Sequence, residues 1–205
     1  MTTLSDDIEL LSNSRSVKRK SAAKRLRKKA DIFAGPFLLS RLKIEVQDTR
    51  TWETQYQLIM AIGECEYLEA LPFLENLSTQ TLEATMVYVG IGDALVRLQQ
   101  QGHENIAPVF TLMKSGNEML IDGGLRAMAM LKMVPSDDDI QKILNFASKF
   151  NNEHGIRFWP LAASAGWSGK HVEKYISQCA KSKREDLQTA AKFALEKRYY
   201  NWNPL

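Results

Sequence analysis

The chain has 205 residues, 44% of them hydrophobic and 25% charged, with a formal net charge of +3. This composition is ordinary for a globular domain and argues against an intrinsically disordered chain. No apolar run approaches the roughly 20 residues that cross a bilayer, and the acidic, polar start does not resemble a secretory signal. We therefore expect one soluble, cytoplasmic domain over residues 1–205, with residues 1–14 as a candidate flexible segment.

Three prolines recur at a fixed interval, which is the first sign of a repeat. Pro36, Pro72 and Pro108 are 36 residues apart, and each is followed by apolar residues in the same phase. Proline is tolerated in the first turn of a helix, where its missing N–H would have no intrahelical partner. The interval therefore predicts that each proline begins the second helix of one of three successive helical hairpins.

Apolar residues at a helical period predict the first helix of each hairpin. Val17, Ala22, Ala23 and Leu26 form one such face, and the next hairpin begins with Trp52, Tyr56, Ile59 and Met60 in the same kind of pattern. The frequent Ala and Gly on these faces predict close helix packing. The predicted hairpins pair residues 16–30 with 35–46, 51–66 with 68–78, 83–100 with 104–115, 118–133 with 137–150, and 156–167 with 169–181, followed by a last helix at about 185–200.

Two segments carry a family resemblance. Val17 to Leu26 reads Val-Lys-Arg-Lys-Ser-Ala-Ala-Lys-Arg-Leu and resembles the V-R-x-x-A-A-x-x-L signature of first helices in HEAT repeats. Leu71 to Leu77 is similar to the matching second-helix pattern, a-x-P-x-L-x-x-L. The resemblance covers nearly the whole chain and weakens after residue 116. It implies a right-handed α-α superhelix, a HEAT-like solenoid of about five hairpins plus a C-terminal capping helix. A non-repetitive helical bundle is the alternative.

The strongest local signal for function is a basic segment at residues 15–29, which holds nine cations and no acid. On a helix, these residues occupy most of the surface that the apolar face leaves free. Such a surface can bind phosphates through counterion release or an acidic protein surface; a solvated outer face is the non-functional alternative. The candidate binding residues of this segment are Arg15, Lys18, Arg19, Lys20, Lys24, Arg25, Arg27, Lys28 and Lys29.

The resemblance implies a non-catalytic module that binds a protein partner. The stacked second helices would form a ridge that carries Arg41 and Lys43, two further candidate binding residues. Small HEAT proteins serve as adaptors, as chaperone-like factors and as immunity proteins that neutralise a toxin. Nucleic acid bound by the basic first helix is the alternative partner, and no membrane contact is expected.

Little in the sequence indicates an enzyme, a metal site or a cofactor. Cys65 and Cys179 lie far apart within helical patterns, which favours buried free thiols over a disulfide or zinc framework. The three histidines show no metal-ligand spacing. We expect no metal ion and no cofactor.

One catalytic alternative rests on Asp93, Arg126 and Trp159, which recur at intervals of 33 residues. This set loosely resembles the HEAT-like alkylpurine DNA glycosylases, in which a carboxylate stabilises a cationic sugar while the other groups hold a phosphate and a damaged base. Those enzymes have an aromatic residue one turn before the carboxylate, where this chain has Val89. An Asp–Arg ladder between neighbouring repeats is the structural alternative.

Overall fold

The computed structural model describes residues 2–200. Within that range the regular elements are all helices and there is no β-strand, which confirms the predicted all-α class. None of the described helices is long and apolar enough to cross a membrane. The α-helices of residues 2–200 are α1 (Leu4–Leu10), α2 (Ser16–Lys29), α3 (Gly35–Glu45), α4 (Trp52–Glu64), α5 (Leu71–Ser78), α6 (Thr85–Gln99), α7 (Ala107–Met113), α8 (Glu118–Met130), α9 (Asp137–Ala147), α10 (Phe158–Ala163), α11 (Lys170–Cys179) and α12 (Glu185–Leu195).

The three repeated prolines occupy one position in three helices. Pro36, Pro72 and Pro108 are each the second residue of their helix, in α3, α5 and α7. This placement confirms the prediction, because a proline there forfeits no intrahelical hydrogen bond. The fixed interval therefore marks the start of a second helix at three places along the chain.

The predicted helix boundaries agree with the structure to within a few residues, except at two places. The first helix of the fifth hairpin is shorter than expected, because 3₁₀ turns at Gly155–Arg157 and Ser164–Gly166 flank α10. The last helix stops at Leu195 and not near residue 200. Lys197 has a positive φ of 55°, a left-handed conformation that ends an α-helix.

Residues 1–14, predicted as a candidate flexible segment, include the helix α1 at Leu4–Leu10. Its first turn is closed by a capping box, in which the Asp6 N–H donates to Thr3 Oγ1 at 3.1 Å and the Thr3 N–H donates to Asp6 Oδ2 at 2.8 Å. Reciprocal bonds of this kind satisfy two N–H groups that a helix start otherwise leaves unpaired. In the sequence, Thr3 and Asp6 of the segment Thr-Leu-Ser-Asp indicate this capping box.

The chain divides into two units. The first takes the chain up to Gln99 together with Leu112–Gly124, and the second takes Gln100–Thr111 and the chain from Leu125 onward. Helices α7 and α8 contribute residues to both. A single domain over residues 1–205 stays a prediction.

In the first unit, the first helices of the hairpins pack side by side. Helix α4 packs against both α2 and α6, α1 packs on α2, α3 packs on α4, and α5 packs on α6. Every residue of α4 from Thr54 to Gly63 is buried. Helix α4 is therefore the centre of this unit, with neighbours on all sides.

Glycines allow α6 and the start of α8 to approach closely, as the sequence predicts. A Cβ atom at Gly92 would stand 2.1 Å from the carbonyl oxygen of Leu120, and one at Gly123 would stand 2.1 Å from that of Val89. Both distances are far inside van der Waals contact, so only glycine fits at either position. Gly92 of α6 thus contacts α8, and Gly123 of α8 contacts α6, where the two helices approach each other.

In the second unit, the terminal helices pack on one another. Helix α12 packs against α10 and α11, and α11 also packs against α9. Two hydrogen bonds fix large aromatic side chains in this core: Trp167 Nε1 donates to the Met133 carbonyl at 2.9 Å, and the Tyr175 hydroxyl donates to the Arg157 carbonyl at 3.0 Å. Helix α12 contributes the buried residues Leu187, Ala190, Ala191 and Ala194.

Two residues of the predicted buried faces are exposed. Val17 is 64% exposed because it precedes the buried Leu26 by nine residues, which is two and a half helical turns, and so lies on the opposite side of α2. Trp52 is in phase with its helix but is the first residue of α4, where it remains 38% exposed. The assignment of both residues to the core is therefore wrong.

Candidate interaction surfaces

Ion pairs within the first unit separate the cations of the basic segment into two groups, those that contact an acid of their own chain and those that do not. Lys20 Nζ lies 2.7 Å from Glu53, and the Arg27 Nε lies 3.9 Å from Glu64. Ion pairs also join Arg19 to Glu45, Arg25 to Asp7, and Lys29 to Asp7. Five of the nine predicted binding residues thus contact carboxylates of their own chain, and Arg19 and Arg27 are buried as well. The other four are Arg15, Lys18, Lys24 and Lys28, which are exposed.

Asp7 is the acid that attaches α1 to α2. Its carboxylate has no solvent exposure, and it accepts hydrogen bonds from Arg25 Nε at 2.6 Å, Lys29 Nζ at 2.7 Å and the Thr2 hydroxyl at 3.0 Å. Burial alone would raise the pKa of Asp7, but the hydrogen bonds from Lys29, Arg25 and Thr2 outweigh it and lower the pKa below its usual value. Two of the predicted binding cations are thereby committed to holding the N-terminal helix.

Two of the exposed cations, Lys24 and Lys28, lie on the side of α2 that faces away from α3. Arg19 reaches Glu45 of α3, so its direction marks the α3 side. Lys28 follows Arg19 by nine residues, or two and a half turns, and therefore points the opposite way. Lys24 lies one turn before Lys28 on the same exposed side. Together with Val17, they form a surface that we call the outer face of α2.

A second surface, which the sequence reasoning missed, lies on α3 and the turn before it. Phe33 is 76% exposed, Phe37 is 51% exposed and Ile44 is 57% exposed. The buried residues Leu38, Leu42 and Glu45 occupy the other side of the same helix. We call Phe33, Phe37 and Ile44 the apolar face of α3. The signal for it was present in the sequence, because α3 carries more large apolar residues than one buried stripe needs.

The direction of this face follows from Lys43. Its Nζ lies 5.8 Å from the centre of the Phe73 ring in α5, so the Lys43 side of α3 is the side towards α5. Successive helical residues advance by about 100°. Phe37 and Ile44 therefore lie roughly 100–120° around the helix from Lys43 and do not point towards α5. Arg41 lies farther round in the same direction and contacts Glu45 at 2.7 Å.

Glu45 is the ionic link between α2 and α3. It is almost fully buried and contacts both Arg19 and Arg41. Burial opposes its charge, but hydrogen bonds from Arg19, Thr51 and Arg41 together lower the pKa of this carboxyl. Of the two predicted binding residues on α3, Arg41 is therefore half-buried in this cluster, and Lys43 is exposed beside Phe73.

The residues of the catalytic alternative have structural contacts. Asp93 lies in the first unit with no solvent exposure, and its Oδ1 is 2.6 Å from Arg97 Nε, while Arg97 Nη1 is 3.1 Å from Glu64. Arg126 and Trp159 lie in the second unit, where both are buried and the guanidinium carbon is 5.7 Å from the indole ring centre. The structure thus brings Arg126 and Trp159 together. Asp93 forms an ion pair with Arg97, one turn later on the same helix.

An open cavity of about 420 Å³ lies in the first unit at the start of α4 and α6. The exposed ring of Trp52 forms part of its wall, and its other lining residues are Thr49, Glu83, Ala84, Thr85 and Met86. Glu83 adds a negative charge, whereas the starts of both helices favour an anion. These opposing preferences leave the cavity without a defined ligand class.

The cysteines are buried free thiols, as the sequence predicts. Burial raises the pKa of Cys65 to about 11. Burial also raises the pKa of Cys179, although Arg157 opposes the shift. Neither thiol has the lowered pKa that a nucleophile needs. Across residues 2–200, no group of three or more His, Cys, Asp or Glu side chains is placed to hold a metal ion.

No protein-family model, curated protein or solved structure significantly matches this chain. Membership of the HEAT-repeat family therefore stays a prediction that rests on the repeated prolines and on the two segments that resemble its helices.

Proposed function

We propose that this chain is a HEAT-like solenoid, a right-handed α-α superhelix, that acts as a non-catalytic binding module for another protein. The observation that carries the proposal is the apolar face of α3, where Phe33, Phe37 and Ile44 are each more than half exposed. Large apolar side chains clustered on a surface are typical of protein interaction sites.

Three features support the architecture. The prolines begin three second helices at one repeated position. The first helices α2, α4 and α6 pack side by side, and the second helices α3 and α5 pack on the following first helices, α4 and α6. Repeated units that contact their sequence neighbours in this way are the basis of a solenoid.

The energetics of the apolar face favour a protein partner. Two Phe and one Ile side chain at these exposures present on the order of 300 Å² of apolar surface, worth roughly 8 kcal/mol before the entropic costs of association. A phosphate backbone would leave that surface in water. The ion pairs of Arg19, Lys20, Arg25, Arg27 and Lys29 further reduce the charge that α2 can offer to nucleic acid.

The biological role within this class is that of an adaptor, a chaperone-like factor or a toxin-immunity protein. Each of these roles needs a rigid helical scaffold and an exposed recognition surface, and none needs a catalytic group. Base excision through Asp93 stays a prediction.

Affinity capture from the native host tests the proposal. We expect the wild-type protein to retain one stoichiometric partner, and Phe37→Asp to lose it. The matched control is Val17→Asp, which places the same charge at a comparably exposed apolar residue on the outer face of α2. Circular dichroism checks that both variants fold. Equal recovery by all three proteins, or recovery of no partner by the wild type, would overturn the proposal.

A further inference from the structure

We propose that the apolar face of α3 binds an amphipathic helix of the partner that carries acidic residues beside its own apolar stripe. This inference rests on the proposed function, since it names the chemistry of the partner at that same surface. It follows from the direction, length and charge of the face.

The length of the apolar face fits a helix. Phe33 and Phe37 are four residues apart, and Ile44 follows Phe37 by seven, a spacing that aligns side chains on one side of a helix. Phe33 lies in the 3₁₀ turn Ile32–Ala34 that runs directly into α3. At about 2.0 Å per residue in that turn and 1.5 Å in α3, the eleven steps from Phe33 to Ile44 span roughly 17 Å. A helix of three to four turns laid alongside α3 would contact all three side chains, as in helix-in-groove recognition.

The position of the face fits an additional helix in the layer of second helices. Helix α5 stands on the Lys43 side of α3, and Phe37 and Ile44 lie roughly 100–120° around the helix from Lys43, so they do not point towards α5. Helix α1 packs beside α2, whereas Phe37 and Ile44 remain more than half exposed. A partner helix would therefore stand beside α3 as α1 stands beside α2.

The charge of α3 selects an acidic partner. The segment Gly35–Ile44 contains Arg41 and Lys43 and no acidic residue. The acid of α3 is Glu45, which is 2% exposed and already contacts Arg19 and Arg41. Arg41, which also contacts Glu45, borders Phe37 and Ile44 on one side, and the exposed Lys43 lies on the other. Carboxylates along the two edges of the partner's apolar stripe would meet these cations, and complementary charge gives such a contact its specificity and a faster association rate. A second copy of this chain would instead bring like charges together.

Two synthetic peptides test the inference with the full-length protein. Both are 16-residue helical peptides with Leu at a 3.6-residue period and with Ala at some of the positions between. The remaining positions are all Glu in one peptide and all Lys in the other. By fluorescence anisotropy, we expect micromolar binding of the Glu peptide and at least tenfold weaker binding of the Lys peptide. Phe37→Asp should weaken binding of the Glu peptide at least tenfold, and Val17→Asp should leave it unchanged.

A charge reversal provides the specificity control. Lys43→Glu should weaken the Glu peptide and strengthen the Lys peptide, whereas Lys24→Glu, on the outer face of α2, should change neither. Three results would overturn the inference: no binding of the Glu peptide, equal binding of both peptides, or a wild-type dimer in sedimentation that Phe37→Asp converts to a monomer. If the Glu peptide fails while a host partner is still captured through Phe37, the inference falls and the proposed function stands.

Discussion

Two carboxylates with almost no solvent exposure, Asp7 and Glu45, attach α1 and α3 to the basic helix α2. Each contacts two cations, Arg25 and Lys29 for Asp7, and Arg19 and Arg41 for Glu45. A buried carboxylate is tolerated only when such partners compensate for its lost hydration. Much of the positive charge of α2 is thus structural.

The free energy of unfolding should therefore decrease at low pH, where these carboxylates become protonated. The pKa of Glu45 is lowered in the folded state, so its charge stabilises the fold above the unfolded pKa of about 4.3, and this contribution is lost as the pH falls further. We expect Glu45→Gln to destabilise the protein by about 1–3 kcal/mol at pH 7.

Urea unfolding followed by circular dichroism at pH 7, 5, 4 and 3 measures this effect. The difference in unfolding free energy between the wild type and Glu45→Gln should become smaller as the pH falls from 5 to 3. Glu9→Gln, at an exposed acid of α1, should follow the wild type throughout. A difference of constant size at all four values would show that the charge of Glu45 does not stabilise the fold.

At the scale of helices, small residues decide how closely the first helices pack. Gly92 and Gly123 each face a backbone carbonyl at a distance that no Cβ could accept. Gly90, in the same helix as Gly92, faces the Tyr56 ring instead, with the nearest ring atom 3.1 Å from an added Cβ. A ring can shift slightly, whereas a backbone carbonyl within a packed helix cannot.

Alanine substitutions at the two glycines of α6 should therefore differ. Alanine is favoured over glycine within a helix by about 1 kcal/mol, so Gly90→Ala should stay within about 1 kcal/mol of the wild type. Gly92→Ala must push α6 and α8 apart, and overpacking of this kind should cost at least about 2 kcal/mol. Thermal unfolding of the three proteins measures the difference. Similar losses at both positions would contradict the role of Gly92 as a close-contact residue.

At the scale of the whole molecule, the net charge of +3 conceals how the charges are distributed. Nine cations lie within residues 15–29, but five of them contact acids of α1, α3 and α4. The four exposed cations outside these ion pairs, Arg15, Lys18, Lys24 and Lys28, are few for a protein that binds a phosphate backbone. The folded chain thus presents a less basic surface than its sequence suggests.

Binding to nucleic acid should consequently be weak. For a 20-base-pair DNA duplex, we expect a dissociation constant above about 10 μM at 0.15 M salt, in the range of non-specific association. Anisotropy titrations at 0.025 M and 0.15 M salt, with Lys24→Glu/Lys28→Glu as the control variant, provide the measurement. Submicromolar binding at 0.15 M salt that the double variant abolishes would favour the nucleic-acid alternative instead.

The sequence by itself determined the helical class, the order of the helices and the repeated start of three second helices. Those properties depend on local features: a 3.6-residue apolar period, a proline in the first turn, and capping residues next to the helix they cap. Only the tertiary structure decided which cations are exposed and which are paired, because Arg19 and Glu45 are 26 residues apart and Arg25 and Asp7 are 18 apart. It likewise decided that Phe37 and Ile44 are exposed while Leu38 and Leu42 of the same helix are buried, since burial depends on the position of neighbouring helices.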